Sequence, residues 1–245
     1  MPLRTVALWL AVVLIPIALL GGPALADTLR FGYDEYPPLS YTENGEARGR
    51  SIELVREASR RLGIEPEFVS QPFVRLLTSV EEGTLDGMVD LYQTPERTKY
   101  LFFAPRSATG EDIFIYVRAG SGVRIESVED IRKYRVGAVR GYYYGEMVDR
   151  ELESGFDLVK DCKVLYGMLL EGRLDAVLGN SMAAQYYMRA ELMRGEVLPV
   201  LTLAHLDYHV VFSRILGPRG QSLANAYARE IRRILEERGE PVSVP

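Results

Sequence analysis

Arg97 is the residue whose position is hardest to explain by local folding alone. It closes the segment Asp90-Leu91-Tyr92-Gln93-Thr94-Pro95-Glu96-Arg97. There Thr94 suits a helix N-cap, Pro95 the first helical position and Glu96 the positive helix start. A cation in the same turn opposes the helix dipole and costs about a few tenths of a kcal/mol. Placements that break a local rule tend to serve function. Exposed N–H groups beside a guanidinium fork make a receptor for a carboxylate; pairing of Arg97 with Glu96 or a nearby surface acid is the alternative.

Other chemistries find little support. Two histidines and one cysteine argue against a His/Cys zinc site, and lone Cys162 cannot form an intramolecular disulfide. No Ser-His-Asp or Cys-His arrangement is discernible, and His205 and His209 lie in a strand-rich stretch that suits packing or a hinge. Glu35, Asp90 and Glu96 are available carboxylates, but nothing marks one as an acid catalyst. No catalytic residue, metal ligand or cofactor is therefore expected. The net charge of −5 argues against nucleic acid, which requires clustered Lys and Arg.

The N-terminus indicates export. Arg4 precedes an apolar run at residues 6–20 interrupted only by Pro16; Gly21-Gly22-Pro23 breaks it, and Ala24-Leu25-Ala26 is a small-x-small site. This is the pattern of a cleaved secretory leader over residues 1–26, and the run is too short for a membrane anchor. Removal of Arg4 with the leader takes the net charge from −5 to −6. No cysteine near Ala26 offers a lipid attachment point.

The elements beyond the leader alternate between strand and helix. Residues 29–33 read as a strand, Tyr36-Pro37-Pro38 as a turn, and Asn44-Gly45 as a tight turn between extended pieces. Ser51 opens a helix carrying Ile52, Val55, Ala58 and Leu62 on one face, with Gly63 past its end. Residues 67–69 resume a strand, and Pro72 starts a second helix with Phe73, Leu76, Leu77 and Val80 as its stripe. Such alternation predicts parallel sheets flanked by helices. Glu82-Gly83-Thr84-Leu85-Asp86 recurs as Glu171-Gly172-Arg173-Leu174-Asp175, each copy joining an amphipathic helix to a buried strand. The repeat suggests two lobes built from similar units, with Asp86 and Asp175 structural at the turns. Small residues at 118–122 suit one hinge crossing and residues 209–213 a second. Lobe 1 then comprises about 27–117 with 214–245, and lobe 2 about 118–213, with a pocket expected between them. A final helix over 221–238 carries Leu223, Tyr227, Ile231 and Leu235 along one side.

These pieces resemble family 3 of the bacterial extracellular solute-binding proteins, the polar-amino-acid group of type II periplasmic binding proteins. The matching stretches are Gly32-Tyr33-Asp34-Glu35-Tyr36-Pro37-Pro38-Leu39, Asn44-Gly45 with Arg48-Gly49, Glu82 to Asp86, and Thr94-Pro95-Glu96-Arg97-Thr98-Lys99-Tyr100. Phe102-Phe103-Ala104-Pro105, Val136-Gly137-Ala138-Val139-Arg140-Gly141 and Gly172 to Val177 follow in the family's order. The resemblance implies an α/β, two-lobed fold with a cleft between the lobes and two hinge crossings. It places Asp34 and Tyr36 against the ligand from the first strand-loop and Phe73 on the ligand side chain. Asp90 and Tyr92 fall where an α-ammonium is usually held, and Arg97 where the α-carboxylate is gripped. Arg140, Gly141 and Tyr142 match the closing loop, and Asn180 matches a usual acidic contact. Read singly, Phe73 suits a helix core, Asp34 a turn before Pro37, Arg140 the surface, and Tyr142, Tyr143 and Tyr144 the packing of lobe 2.

Two departures stand out. The family's Gly-Phe-Asp is Gly49-Arg50-Ser51 here, which bears on helix capping. The lobe-2 acid is Asn180, which can bond an ammonium without neutralising it; either Asp90 supplies that charge or the ligand is a carboxylate lacking an α-amine. The resemblance implies a monomeric periplasmic binder of an amino acid or small carboxylate, handing it to the permease of an ABC transporter. A cyclohexadienyl-dehydratase-like enzyme and a periplasmic sensory module are the alternatives.

Overall fold

Alternation along β1 (Asp27–Tyr33) turns Leu29, Phe31 and Tyr33 into the interior. The computed structural model describes residues 27–105, 109–146, 148, 155–189 and 196–240; the leader expected at residues 1–26 lies outside them. Strand β1 pairs in parallel with β4 (Ile64–Ser70) and β5 (Gly87–Tyr92). Asn44 and Gly45, both at positive φ, make the hairpin between β2 (Tyr41–Glu43) and β3 (Glu46–Arg48). Helix α1 (Arg50–Leu62) starts one residue before Ser51, after Gly49, and Ser51 is buried rather than capping the helix. Helix α2 (Phe73–Glu81) follows Pro72 as expected. Every residue of β5 is buried because helices cover both faces of its sheet. One face packs Phe31, Val89 and Phe212 under α1 and the final helix α5 (Pro218–Glu237); the other packs Met88, Leu91 and Val211 under α2. Each such apolar side chain is worth roughly 1.5–3 kcal/mol of burial.

The second half repeats this plan. After β6 (Leu101–Phe103) and β7 (Thr109–Arg118) come β8 (Val136–Val139), β9 (Asp157–Val159), α3 (Cys162–Leu170), β10 (Ala176–Asn180), α4 (Ser181–Arg189) and β11 (Val197–Ser213). Among the described residues the sheet runs β4-β1-β5-β11-β7-β10-β8-β9, with β6 also on β11. The repeated turn has the same physics in both halves. Asp86 accepts from the Arg30 backbone N–H at 2.8 Å, and Asp175 from that of Arg135 at 2.9 Å. Two leucines close over a glycine in each unit: a Cβ on Gly32 would lie 2.7 Å from Leu76 and 2.8 Å from Leu85, and one on Gly137 2.4 Å from Leu174 and 2.8 Å from Leu165.

Strands β7 and β11 connect the halves. Residues 197–208 of β11 pair with β7, while residues 208–213 pair with β5 and β6 on the first-half side. Ile113, Ile115 and Val117 of β7 belong to the second core, with Leu165, Leu169, Val177 and Leu178. The strands therefore cross near Gly110 and Asp207. The small-residue stretch at 118–122 lies beyond β7, and residues 209–213 already belong to the first sheet. Both strands continue as β-structure on either side of this point. Among the described residues no helix is long and apolar enough to cross a membrane.

Candidate functional site

The ends of the central strands converge where the two halves face each other. Loop residues Asp34 and Tyr36 follow β1, Phe73 opens α2, and Asp90, Leu91 and Tyr92 end β5. The opposite half contributes Tyr142 and Tyr143 from the loop after β8 and Asn180 from the end of β10, while Tyr208 comes from the crossing strand β11. Together with Arg97 these residues enclose a cavity of about 30 Å³, roughly the share of one water in the liquid. That space suits water rather than an amino-acid-sized molecule. Of the residues expected from sequence, Arg140 and Gly141 are not brought into the lining. Arg140 is exposed and reaches the Leu158 carbonyl at 3.5 Å; Gly141 contributes its backbone carbonyl instead.

Arg97 is buried, but not in the first turn of a helix. Residues Arg97–Lys99 form a single 3-10 turn, with the Arg97 N–H donating to Thr94 Oγ1 at 3.2 Å. One turn carries little macrodipole, so the argument from helix electrostatics does not hold here. Glu96 pairs with Lys99. The Arg97 guanidinium donates to the Tyr92 carbonyl at 2.8 Å and, across the cleft, to the Gly141 carbonyl at 3.0 Å. It also lies 5.5 Å over the Phe73 ring. Arg97 thus ties the loop after β8 to the first half.

Two acids face the cavity. The Tyr142 hydroxyl donates to Asp34 Oδ2 at 2.6 Å, and its ring meets Phe73 edge-on at 4.8 Å. Burial pushes the Asp34 carboxyl up to about 6, against the lowering effect of the Tyr142 bond. Asp90 sits in the fully buried run of β5, bonded by the Ser51 and Ser40 hydroxyls. Its Oδ2 has no hydrogen-bond partner among the described residues. Burial first, and then the charge of Asp34, push Asp90 up to about 7. An unsatisfied buried oxygen costs about 1–3 kcal/mol, so Asp90 is held at a cost that a ligand donor would relieve.

Below the cavity lies Glu111, only 3% exposed. Its Oε1 accepts from Tyr36 and Tyr92, each at 2.6 Å, and from Tyr208. The Asn180 amide donates to the Tyr92 hydroxyl at 2.9 Å and toward Glu111 at 3.4 Å. Glu111 Oε2 accepts the Met182 N–H at 2.8 Å, at the start of α4. Tyr92 and Tyr208 stack at 4.4 Å. Burial, followed by the Glu111 charge, raises the Tyr36 and Tyr92 hydroxyls well above their ordinary range.

Glu111, Tyr208, Tyr143 and Leu91 were missed from sequence. For Glu111 a signal existed: Glu111, Ile113, Ile115 and Val117 alternate on the buried side of β7. An acid in the phase of the core residues breaks the strand pattern and should have marked the position.

Aromatic rings and carboxylate oxygens suit a positively charged group, held by ion pairing and by ring faces. Among the described residues no cluster of three or more His, Cys, Asp or Glu could hold a metal ion.

Comparison with known proteins agrees with this architecture. The family model for bacterial extracellular solute-binding proteins, family 3, matches residues 29–238. The arginine-binding extracellular protein ArtP of Bacillus subtilis is 26% identical over 178 residues, covering 67% of this chain and 66% of its own. The lysine/arginine/ornithine-binding periplasmic protein of Escherichia coli K12 is 26% identical over 167 residues, covering 66% and 64%. The chain thus spans just under two thirds of the length of these relatives. Among solved structures, a histidine kinase sensor domain with similarity to periplasmic binding proteins superposes with a TM-score of 0.76 at 21% identity, over 86% of this chain and 91% of that one. The arginine-bound form of truncated ArgBP from T. maritima gives 0.72 at 22% identity, over 84% and 96%. These likenesses show the two-lobed binding-protein fold.

Proposed function

The chain belongs to the bacterial extracellular solute-binding proteins of family 3, and we propose that it captures a small amino-acid-like ligand carrying a positive group between its two lobes. The carrying observation is the buried Asp90, which lines a cavity walled by Asp34 and aromatic rings and whose Oδ2 lacks a hydrogen-bond partner among the described residues. The ligand's ammonium or guanidinium would meet Asp90 and Asp34, taking over the hydroxyl bond now made by Tyr142. The proposed hinge lies near Gly110 and Asp207, where β7 and β11 cross. In the open form, parting of the lobes frees the Arg97 fork from Gly141, and the ligand carboxylate takes that place. Arginine, lysine and ornithine in the relatives' names support this ligand class.

We further place the mature protein in the periplasm, with residues 1–26 as its leader and an ABC permease as the recipient of the closed form. Calorimetry against arginine, lysine, ornithine, histidine and acidic or neutral amino acids tests the reading. Saturation at about 100 times the dissociation constant should stabilise the fold by about 2.7 kcal/mol. No stabilisation by any member of the panel would refute it. Pull-down of a permease by the liganded protein tests the delivery step.

A dehydratase reading draws on one observation: Asp34 and Asp90, raised to about 6 and about 7, are poised to donate protons. Incubation with prephenate separates the classes, since release of phenylpyruvate is expected of the enzyme alone.

A further inference from the structure

The cavity floor is rich in groups able to donate hydrogen bonds, yet each of its tyrosine hydroxyls has an acceptor within the floor itself. Tyr36, Tyr92 and Tyr208 come from three separate segments, and each hydroxyl hydrogen reaches Glu111 or a neighbouring tyrosine oxygen. The Asn180 amide directs an N–H into the same cluster, shared between the Tyr92 hydroxyl at 2.9 Å and Glu111 at 3.4 Å. The carboxylate is fixed in turn by the Met182 N–H at 2.8 Å and the Ser181 hydroxyl at 3.4 Å. Glu111 does not itself line the cavity. It acts through residues that do.

A tyrosine-lined, asparagine-bearing pocket would ordinarily offer donors to an anion or to a neutral amide. Here the floor presents ring faces and edges, while the charged groups of the cavity lie on its walls, as Asp34, Asp90 and Arg97. We propose that Glu111 is a positioning residue that sets the ligand class: by drawing in the three hydroxyls and the Asn180 amide, it makes the floor receptive to an organic cation and unreceptive to a neutral or anionic group. The negative charge of Glu111 beneath the rings acts in the same direction. This inference rests on the binding-protein reading and adds the residue that enforces its selectivity.

Arginine and citrulline test it, because they differ in replacing a guanidinium by a neutral ureido group of similar shape. Wild type should prefer arginine. In Glu111→Gln the neutral amide accepts fewer hydroxyls and adds donors of its own, so the preference should fall by about tenfold, the usual margin between charge-assisted and neutral hydrogen bonds. Loss of affinity for both ligands in equal proportion would show Glu111 to be merely structural and overturn the proposal. Wild type that binds citrulline or glutamate as well as arginine would also overturn it, while leaving the binding-protein reading intact. Binding of nothing in the panel would instead sink that reading.

A second measurement needs no variant at Glu111 and decides the matter should Glu111→Gln fail to fold. Tyrosine labelled with carbon-13 at Cζ, in mixed light and heavy water, gives split signals for hydroxyls whose hydrogens exchange slowly. Signals assigned to Tyr36, Tyr92 and Tyr208 should be split both before and after arginine is added. Their Cζ shifts should also stay in place on ligation; large shifts at all three, reporting a change of acceptor, would place those hydroxyls on the ligand and refute the assignment.

Discussion

The Asp90→Asn substitution should stabilise the ligand-free protein at neutral pH and weaken its ligand binding. Asp90 is 7% exposed and its carboxyl is pushed from 3.8 up to about 7, by burial first and by Asp34 second. Because the folded value lies above the unfolded one, Asp90's contribution to stability is fully present below about pH 4 and is lost as pH rises through about 7. The rise corresponds to about 4 kcal/mol in favour of the protonated carboxyl. An amide at position 90 would keep the Ser40 and Ser51 partners without a charge to bury. Urea unfolding of both proteins from pH 4 to pH 8 isolates the effect, because other titrations cancel in the difference. The gap between variant and wild type should widen by about 4 kcal/mol toward pH 8 in favour of the variant. Arginine binding should show the complementary behaviour: wild-type affinity falls by up to about tenfold per pH unit below pH 7, and the variant is weak throughout. A stability gap that stays constant across this range would refute the assignment of a proton to Asp90.

Three further outcomes follow from the same geometry. Gly32→Ala and Gly137→Ala should each cost roughly 1–3 kcal/mol in urea unfolding, since the added methyl meets a pair of buried leucines in both lobes. Asp86→Ala should lose roughly 1 kcal/mol, and Asp175→Ala somewhat more, because both carboxylates accept an equivalent strand N–H while Asp175 also takes two bonds from the Arg135 guanidinium. Tyr142→Phe removes the hydrogen bond that lowers Asp34, so the Asp34 midpoint should move above about 6 in a carboxyl-carbon NMR titration.

Much of the fold was legible because short-range rules govern it. The stripe of Leu223, Tyr227, Ile231 and Leu235 became the buried face of α5, and Asn44-Gly45 became the hairpin turn. The repeated Glu-Gly-x-Leu-Asp turn proved to be one helix-to-strand device used twice, down to the backbone hydrogen bond of its aspartate. The crossing was less legible. Strands β7 and β11 run continuously between the halves and carry no Gly-rich mark, and a stretch of small residues after a strand has the same composition whether it bends a domain or ends an edge.

The site shows the same division. The structure brings Asp34, Phe73, Asp90 and Arg97, which the resemblance placed together, around one cavity, yet Arg97 bonds to the Tyr92 and Gly141 backbone carbonyls, which no sequence pattern reveals. Glu111 depends on three tyrosines far from it in sequence, at positions 36, 92 and 208, whose convergence only the tertiary structure supplies. The replacement of the usual lobe-2 acid by Asn180 then gains a physical reading. With Glu111 already beneath the rings and Asp90 beside Asp34, another carboxylate at position 180 would crowd negative charges around one small cavity and push them toward protonation. An amide there can instead serve the Glu111 cluster as a donor. The counter-charge for a ligand cation would consequently lie on lobe 1, available while the cleft is open, and lobe 2 would close over a pair already neutralised.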